Sequence, residues 1–200
     1  MKDKIKEAVK AYDKIASIYT DYNFEKVMQF QLTKFVSLLK GKKVLDVGCG
    51  VGRDVEYLMD DGLEVKGIDI SENMIKQAKK NVPKGKFEVM DFRKMKFKDE
   101  SFDGLWAMAS VYHIPNKEIL DTLKEFYRVL TKNGLLYVSV YEGEEKEERK
   151  DIAVGETRTF YAYKKNEMEK NFEDAGFTII RCEINQTEDR KWLEVYARKD

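Results

Sequence analysis

The feature that most constrains the fold of this chain is a short apolar run that ends at an acidic residue and precedes three alternating glycines. The run spans residues 43–47 and includes Asp46, and the glycines are Gly48, Gly50 and Gly52. Glycine has no Cβ atom, so such a turn can bring bare backbone N–H groups against a ligand. A helical pattern follows, and its positive N-terminal end would point at the same place. The segment predicts a strand, a ligand-binding turn and a helix.

The glycine spacing differs from the dinucleotide-binding fingerprint G-x-G-x-x-G. In that fingerprint the third glycine would fall at position 53, which is occupied by Arg53. The observed pattern is D-x-G-x-G-x-G, starting at Asp46. A glycine turn alone does not identify the ligand, so the spacing of downstream residues has to decide.

Short segments rich in β-branched and aromatic residues alternate with helical patterns along most of the chain. The predicted strands cover residues 44–47, 65–70, 87–90, 102–108, 135–141, 177–184 and 191–197. The predicted helices between them lie near residues 54–61, 72–81, 117–130 and 164–175. This alternation predicts a parallel sheet covered by helices on both faces. The last two strands have no helix between them, so they either pair antiparallel or leave the sheet.

Two regions flank this alternation. Apolar residues repeat at helical spacing over residues 5–19, and a second helical pattern covers residues 24–39 before Gly41 ends it. The segment of residues 142–151 is almost wholly charged, which predicts a solvated loop. That loop is either a flexible connection or an insert that covers the site and selects the substrate.

Composition removes several classes of function. The 37 basic and 37 acidic residues cancel, so the chain lacks the bulk charge that draws a protein to nucleic acid. No apolar run is long enough for a membrane span, no signal segment is visible, and a cytoplasmic location is expected. Cys49 and Cys182 show neither a disulfide framework nor zinc spacing, and His113 is the only histidine, so no metal site is predicted.

Three acidic residues fall at the ends of three successive predicted strands: Asp46, Asp69 and Asp91. In a doubly wound sheet, ligands bind beyond these strand ends, where the strand order reverses. Asp69 follows the glycine turn by about twenty residues, where a carboxylate can accept both ribose hydroxyl protons. Asp91 is placed to accept from an adenine amino group, with Phe92 near the ring. The three acids together predict a nucleoside site.

The glycine turn and these acids resemble the class I S-adenosylmethionine-dependent methyltransferases, over roughly residues 40–200. The N-terminal segment Tyr12-Asp13-Lys14-Ile15-Ala16-Ser17-Ile18-Tyr19 resembles the Y-D-x-x-A-x-x-Y helix of their small-molecule branch, which includes the ubiquinone-type C-methyltransferases. In that branch the helix folds over the cofactor, although Tyr12 and Tyr19 also fit ordinary core positions.

The resemblance implies a doubly wound α/β fold: a Rossmann-like, seven-stranded, mostly parallel sheet with an antiparallel last strand. It implies an N-terminal helical cap over residues 1–40 and an S-adenosyl-L-methionine-binding domain over residues 41–200. The residues expected to bind this cofactor are Tyr12, Tyr19, Asp46, Gly48, Cys49, Gly50, Gly52, Asp69, Ile70, Met74, Asp91, Phe92, Ala107 and Met108.

His113 is the candidate catalytic residue, because it follows the fourth strand on the side where an acceptor approaches. An unperturbed histidine titrates near neutrality, so it can serve as a base or orient the acceptor, and activity would then fall below about pH 6.5. A histidine that is only hydrogen-bonded in the wall of the site fits the same position. Arg53 is a candidate partner for a carboxylate of the cofactor or substrate. Tyr161 is a candidate residue for the lining of the acceptor pocket.

The expected function is methyl transfer to a small-molecule acceptor by a monomer or homodimer that binds neither membrane nor nucleic acid. A methyltransferase acting on protein or tRNA is an alternative, because the lysines between positions 76 and 86 can form a local patch. A non-catalytic, cofactor-binding regulator or partner subunit is the second alternative, since the same residues bind rather than catalyse.

Overall fold

The core of the protein is a sheet whose five central strands run parallel, as seen in a computed structural model that describes residues 4–23, 29–144, 146–151 and 155–200. The spatial order of these strands is β3-β2-β1-β4-β5. They are β1 (Lys43–Val47), β2 (Glu64–Asp69), β3 (Lys86–Val89), β4 (Phe102–Met108) and β5 (Leu130–Glu142). The order reverses between β1 and β4, so a ligand crevice is expected at the carboxyl ends of these two strands.

Helices cover both faces of the sheet, which confirms the predicted doubly wound arrangement. On one face, buried side chains of α2 (Gln29–Leu38), α3 (Arg53–Asp60) and α4 (Glu72–Asn81) join the core. On the other face, the core takes in side chains of α5 (Ile119–Val129) and α6 (Lys165–Asp174). The strands between them are buried on both sides, as parallel strands usually are.

Strand β4 shows how the two core layers are divided. Successive side chains of a strand point to opposite faces, so Trp106 enters the layer of α2 while Leu105 enters that of α5. The Trp106 ring stacks on Tyr137 of β5 with centroids 4.2 Å apart and meets Phe35 of α2 edge-on at 5.3 Å. Helix α2 therefore packs on the sheet itself.

The C-terminal strands close the sheet as predicted for two strands without an intervening helix. Strand β9 (Lys191–Lys199) pairs antiparallel with β5, and β8 (Phe177–Gln186) pairs antiparallel with β9. All seven predicted strands are therefore present, and the predicted antiparallel end of the sheet is confirmed.

Two further strands bring the number in the described part of the chain to nine. Strands β6 (Lys146–Asp151) and β7 (Glu156–Tyr163) form an antiparallel hairpin, and β7 pairs parallel with the end of β5. The prediction of a solvated loop over residues 142–151 is therefore wrong. The charged residues of β6 are accommodated because they pair with partners distant in sequence: Glu148 binds Lys4 and Glu147 binds Arg190.

Helix α1 (Lys4–Asn23) lies across the carboxyl ends of the strands, between the hairpin and α4. Lys10 and Lys14 bind Glu156 of β7 at 2.9 and 2.5 Å. On the other side, Asp13 Oδ1 accepts from Ser71 Oγ at 2.5 Å and from the Asn73 backbone N–H at 3.1 Å. These contacts fix α1 above the crevice.

The second N-terminal helix differs in its bounds from the predicted range of residues 24–39. In the structure α2 starts at Gln29, and residues 24–28 lie outside the described part of the chain. Within the described residues, every helix is too short or too polar to cross a membrane.

Candidate active site

The glycine turn after β1 has the backbone geometry that its sequence requires. Gly48, Gly50 and Gly52 have φ angles of 72°, 53° and 89°, in the left-handed region that side chains disfavour. A Cβ atom on Gly48 would lie 2.4 Å from Cβ of Ser110, the second residue after β4. The turn therefore brings its backbone against the segment that follows β4.

The backbone N–H groups of this turn are largely used inside the protein. Gly48 and Cys49 donate to the Ile68 carbonyl at 2.8 and 2.9 Å, and Gly52 donates to the Cys49 carbonyl at 3.0 Å. Gly50 donates to Asp69 Oδ2 at 3.0 Å. The expectation that the turn presents bare N–H groups to a ligand is therefore wrong for these four residues. They position the strand ends rather than cradle an anion.

Asp69 lies at the end of β2, beside the glycine turn. Its Oδ1 accepts from the Ser71 backbone N–H at 2.8 Å, so each oxygen already holds one N–H group. A carboxylate has about four acceptor positions, which leaves further positions for a ligand. Desolvation raises the pKa of Asp69 to about 6, although these backbone hydrogen bonds oppose that shift. Asp69 therefore carries its charge mainly above pH 6.

Asp91 follows β3 and lines the same crevice, but it is already paired. Arg93 donates from Nε to Asp91 Oδ1 at 3.1 Å and from Nη2 to Oδ2 at 2.7 Å, and it also binds Glu118 at 3.0 Å. Phe92 packs edge-on against Phe126 of α5 with centroids 5.9 Å apart. The ion pair fixes the Asp91 carboxylate toward Arg93.

Asp46 is the most deeply buried of the three strand-end acids. It is only 2% exposed, and its Oδ2 atom has no hydrogen-bond partner. Burial, followed by the charge of nearby Asp54, raises the pKa of Asp46 well above its usual range. Asp54 itself binds Arg53 Nε at 2.6 Å and accepts from Trp106 Nε1 at 2.8 Å. Arg53 therefore pairs with an acid on its own helix.

Tyr12 and Tyr19 of α1 line the α1 side of the crevice. Tyr12 and Tyr19 contact each other edge-on with centroids 5.9 Å apart. The Tyr12 hydroxyl forms a hydrogen bond of 2.9 Å with His113 Nε2. Tyr12 therefore links α1 to the segment after β4.

His113 is held in one protonation state. Its Nδ1 atom lies 2.9 Å from the Thr159 carbonyl oxygen of β7. A carbonyl only accepts, so Nδ1 carries the proton and Nε2 accepts from Tyr12. Burial lowers the pKa of His113 to about 4. The expectation of an unperturbed histidine that titrates near pH 6.5 is therefore wrong, because the ring is desolvated and lies near Arg158.

Two neighbouring cavities meet at the glycine turn. The first, here the α1 cavity, has a volume of about 100 Å³ and is covered by α1. The second, here the Trp192 cavity, has a volume of about 270 Å³ and is lined in part by Trp192 of β9. Gly48, Gly50, Tyr19 and Ala109 line both. A ligand can therefore extend from one cavity into the other across the turn.

The predicted site residues divide between these cavities. Those lining the α1 cavity are Tyr12, Tyr19, Gly48, Gly50, Asp69, Ile70, Met74, Asp91, Phe92 and His113. Those lining the Trp192 cavity are Tyr19, Asp46, Gly48, Cys49, Gly50 and Met108.

Three candidate residues line neither cavity. Ala107 is fully buried in the core, and a Cβ atom on Gly52 would lie 3.0 Å from the Phe87 ring, so both positions serve packing. Tyr161 of β7 also lies outside both linings.

Four residues at the site were not among the predicted site residues. Ser110 and Tyr112 follow β4, Trp192 belongs to the C-terminal strand pair, and Asp13 attaches α1 to α4. Of these, Asp13 has a sequence signal, because it stands inside the Y-D-x-x-A-x-x-Y segment.

Comparison with known families agrees with this geometry. Residues 45–138, which run from β1 through β5, match the family model described as a methyltransferase domain. This central part of the chain therefore resembles a methyltransferase domain. The predicted resemblance to class I S-adenosylmethionine-dependent methyltransferases is therefore confirmed, and the cofactor of this family is S-adenosylmethionine.

Curated relatives match this methyltransferase domain over part of their length. Methyltransferase GfsG of Streptomyces halstedii is 34% identical over 119 residues, which cover 56% of this chain and 42% of that protein. The 2-methyl-6-phytyl-1,4-hydroquinone methyltransferase of Synechocystis sp. is 38% identical over 107 residues, or 52% of this chain and 33% of that protein. The chain thus spans less than half the length of these relatives.

Solved structures share the fold. A SAM-dependent methyltransferase from Methanosarcina mazei superposes with a TM-score of 0.77, covering 88% of this chain and 99% of that one at 22% identity. This likeness confirms the α/β methyltransferase fold over most of the chain.

Proposed function

We propose that this protein transfers the methyl group of S-adenosylmethionine to a small organic molecule. The observation that carries the proposal is the pair of joined cavities at the glycine turn. The α1 cavity collects the strand-end acids Asp69 and Asp91, and the Trp192 cavity places the Tyr112 and Trp192 rings beside Asp46. The α1 cavity suits a nucleoside, and the aromatic side of the Trp192 cavity suits the acceptor.

The residues present fit this cofactor better than a dinucleotide. Asp69 retains acceptor positions for the two ribose hydroxyls. The unpartnered Asp46 Oδ2 suits an amino group, such as that of the methionine portion. A pyrophosphate would need free backbone N–H groups at the turn, but those of Gly48, Cys49, Gly50 and Gly52 are already donated within the protein.

When bound, S-adenosylmethionine supplies an activated methyl group, so the protein mainly has to align the acceptor and exclude water. Helix α1 suits the exclusion of water, because it covers the α1 cavity with Ile5, Ala8, Val9 and Tyr12. We assign the cap function to this helix. The boundary of the cap at residue 40 stays a prediction, and α2 packs on the sheet instead.

His113 orients the site in this account rather than acting as a base. A general base works best when its pKa lies near the working pH, whereas the pKa of His113 is lowered to about 4 by burial. Its Nε2 atom is also occupied by the Tyr12 hydroxyl. Through Tyr12 it holds α1, and its own ring meets the ring of Tyr112, which lines the Trp192 cavity, with centroids 4.7 Å apart.

The names of the relatives support a small acceptor, since one acts on a hydroquinone. Methylation of protein or tRNA and a non-catalytic binding role remain the alternatives to be tested. A cytoplasmic monomer or homodimer stays the expectation for the protein as a whole.

The test combines binding with transfer. Calorimetry with S-adenosylmethionine and S-adenosylhomocysteine should each give one site per chain, with no comparable binding of NAD. Transfer of a labelled methyl group should appear in a small-metabolite extract and not in purified protein or tRNA fractions. Label in the macromolecular fractions would contradict the small acceptor, and cofactor binding without any transfer would favour the non-catalytic role.

A further inference from the structure

Four aromatic side chains form one cluster along the wall of the Trp192 cavity. Tyr112 stacks on Tyr141 with centroids 4.9 Å apart, and Trp192 meets Tyr141 at 4.7 Å. Phe160 of β7 completes the cluster, 5.1 Å from Tyr112. Two of these rings, Tyr112 and Trp192, line the cavity. A wall of rings favours a flat aromatic ligand, which can stack on them or meet them edge-on.

Two arginines border this cluster. The Arg149 guanidinium lies 4.4 Å from the ring centroid of Phe160, and that of Arg190 lies 4.7 Å from the centroid of Tyr141. Both bind the same carboxylate, that of Glu147, at distances of 2.7 to 2.9 Å. Two positive charges that share one negative charge leave a local excess of positive charge. We call Arg149 and Arg190 the guanidinium rim.

Further charged groups lie around the cluster. The Arg158 guanidinium lies 5.6 Å from the ring centroid of Phe160. On the inner side of the cavity, Asp54 is bound by Arg53 at 2.6 Å. Burial raises the pKa of Asp46 well above its usual range, which disfavours its charged form.

We propose that the acceptor is a flat aromatic molecule that carries a carboxylate. Its ring lies against Tyr112 and Trp192, and its carboxylate is bound at the guanidinium rim, where planar guanidinium groups match carboxylate geometry. The inference rests on the proposed methyl transfer, because it assigns the acceptor of that reaction. A cationic amine fits poorly, since guanidiniums already lie over the Tyr141 and Phe160 rings that would attract it.

The test uses four matched probes and measures binding to the full chain. They are 3-hydroxybenzoate, its neutral counterpart 3-hydroxybenzyl alcohol, its cationic counterpart 3-hydroxybenzylamine, and the non-aromatic acid 3-hydroxycyclohexanecarboxylate. Each is titrated with and without saturating S-adenosylhomocysteine. The aromatic acid should bind at least about tenfold more tightly than each of the others, because only it makes both the charged and the ring contacts. Equal binding of all four, or tighter binding of the amine, overturns the proposal.

Tryptophan fluorescence locates the binding. The chain has two tryptophans, and Trp106 is fully buried against Tyr137. Binding of the aromatic acid should therefore change the emission of Trp192, and Trp192→Phe should remove that change. A change that persists in Trp192→Phe places the acid elsewhere and contradicts the assigned cavity.

Charge variants test the rim. Arg190→Gln should weaken binding of the acid by about tenfold and leave the alcohol unaffected, with Arg149→Gln as a second variant. Arg181→Gln is the matched control, since Arg181 pairs with Glu183 on β8 and lies outside both cavities. Full acid affinity in both rim variants overturns the proposal.

Binding of S-adenosylhomocysteine, measured in the same titrations, separates this inference from the proposed function. If S-adenosylhomocysteine fails to bind while the preference for the aromatic acid holds, methyl transfer is contradicted and the acid site stands. If the cofactor product binds and the preference is absent, only the acceptor assignment falls.

Discussion

The α1 cavity and the Trp192 cavity adjoin each other, yet they differ in how they are closed and in the groups they offer. The α1 cavity is covered by a helix that hydrogen bonds and ion pairs hold on both sides, and it offers carboxylates at strand ends. The Trp192 cavity is lined by the Tyr112 and Trp192 rings and by Asp46, and Arg190 lies over the adjacent Tyr141 ring. The α1 cavity therefore suits hydroxyl donors, and the aromatic side of the Trp192 cavity suits a flat anion.

The difference indicates how recognition is divided in this protein. Apart from the cover supplied by α1, the groups of the α1 cavity come mainly from the ends of β2 and β3 and from the glycine turn, which belong to the matched region of residues 45–138. Most groups of the aromatic cluster and its rim come from outside that match, namely Tyr141, Phe160 and Trp192 with Arg149 and Arg190. In the proposed function, the shared domain binds the cofactor, and the hairpin and β9 supply most of the contacts to the acceptor.

The largest expected effect lies in the α1 cavity. Asp69→Ala should weaken binding of S-adenosylhomocysteine by about tenfold to a hundredfold, since the ribose hydroxyls lose a charged partner contributing roughly 1.5–3 kcal/mol. Calorimetry measures this change, and Asp60→Ala, which removes an exposed carboxylate on α3, is the control. Unchanged affinity in Asp69→Ala would remove this residue from the site.

His113 lines the α1 cavity and forms a hydrogen bond with the Tyr12 hydroxyl. His113→Ala should lower turnover by about tenfold, the size expected when one buried hydrogen bond is lost. His113→Gln, whose side-chain oxygen can accept from Tyr12, should restore part of that activity. Since the pKa of His113 is about 4, the ring is neutral between pH 5 and 8, and its titration should not shape the rate over that range. A loss of about a hundredfold, with a step near pH 6.5 in the wild type, would restore His113 as a base.

The pH dependence of cofactor binding distinguishes the cavities in another way. Asp69 has a pKa of about 6, so its carboxylate is charged above that pH and protonated below it. Affinity for S-adenosylhomocysteine should therefore fall as the pH is lowered through 6, by about tenfold one unit below the pKa. Asp69→Asn should bind more weakly at neutral pH and show no such step. A step of equal size in Asp69→Asn would assign the titration to another group.

The smallest effect concerns the attachment of α1. Asp13→Ala removes the acceptor of Ser71 Oγ and of the Asn73 backbone N–H, a loss comparable to that of a helix cap, about 1 kcal/mol. Cofactor affinity should fall by about fivefold. Glu7→Ala, which breaks a pair with Lys4 on the same helix, should leave affinity unchanged. If both variants behave alike, α1 does not close the α1 cavity through Asp13.

Much of the fold was predictable because its signals are local. The strands, the glycine turn and the acids at strand ends follow from periodicity and from chain position, as Asp69 shows. The ion pairs of these groups do not follow from the pattern. Asp91 pairs with Arg93 and Arg53 pairs with Asp54, so these charged groups bind a neighbour in the chain.

The hairpin was not predictable for the opposite reason. The residues of β6 show no apolar alternation, and their charges are paired by Lys4 and Arg190, at opposite ends of the chain. The lowered pKa of His113 has the same origin, because the ring is buried by contact with β7. Such tertiary pairing leaves no local trace in the sequence.

The division between the two cavities is tested most directly by crossing two variants with two ligands. Calorimetry should show that Asp69→Ala weakens S-adenosylhomocysteine by at least about tenfold and leaves 3-hydroxybenzoate within about twofold. Trp192→Leu should show the reverse, because the ring that it removes lines only the Trp192 cavity. If either variant weakened both ligands to the same extent, the two cavities would form one undivided site and the account would be contradicted.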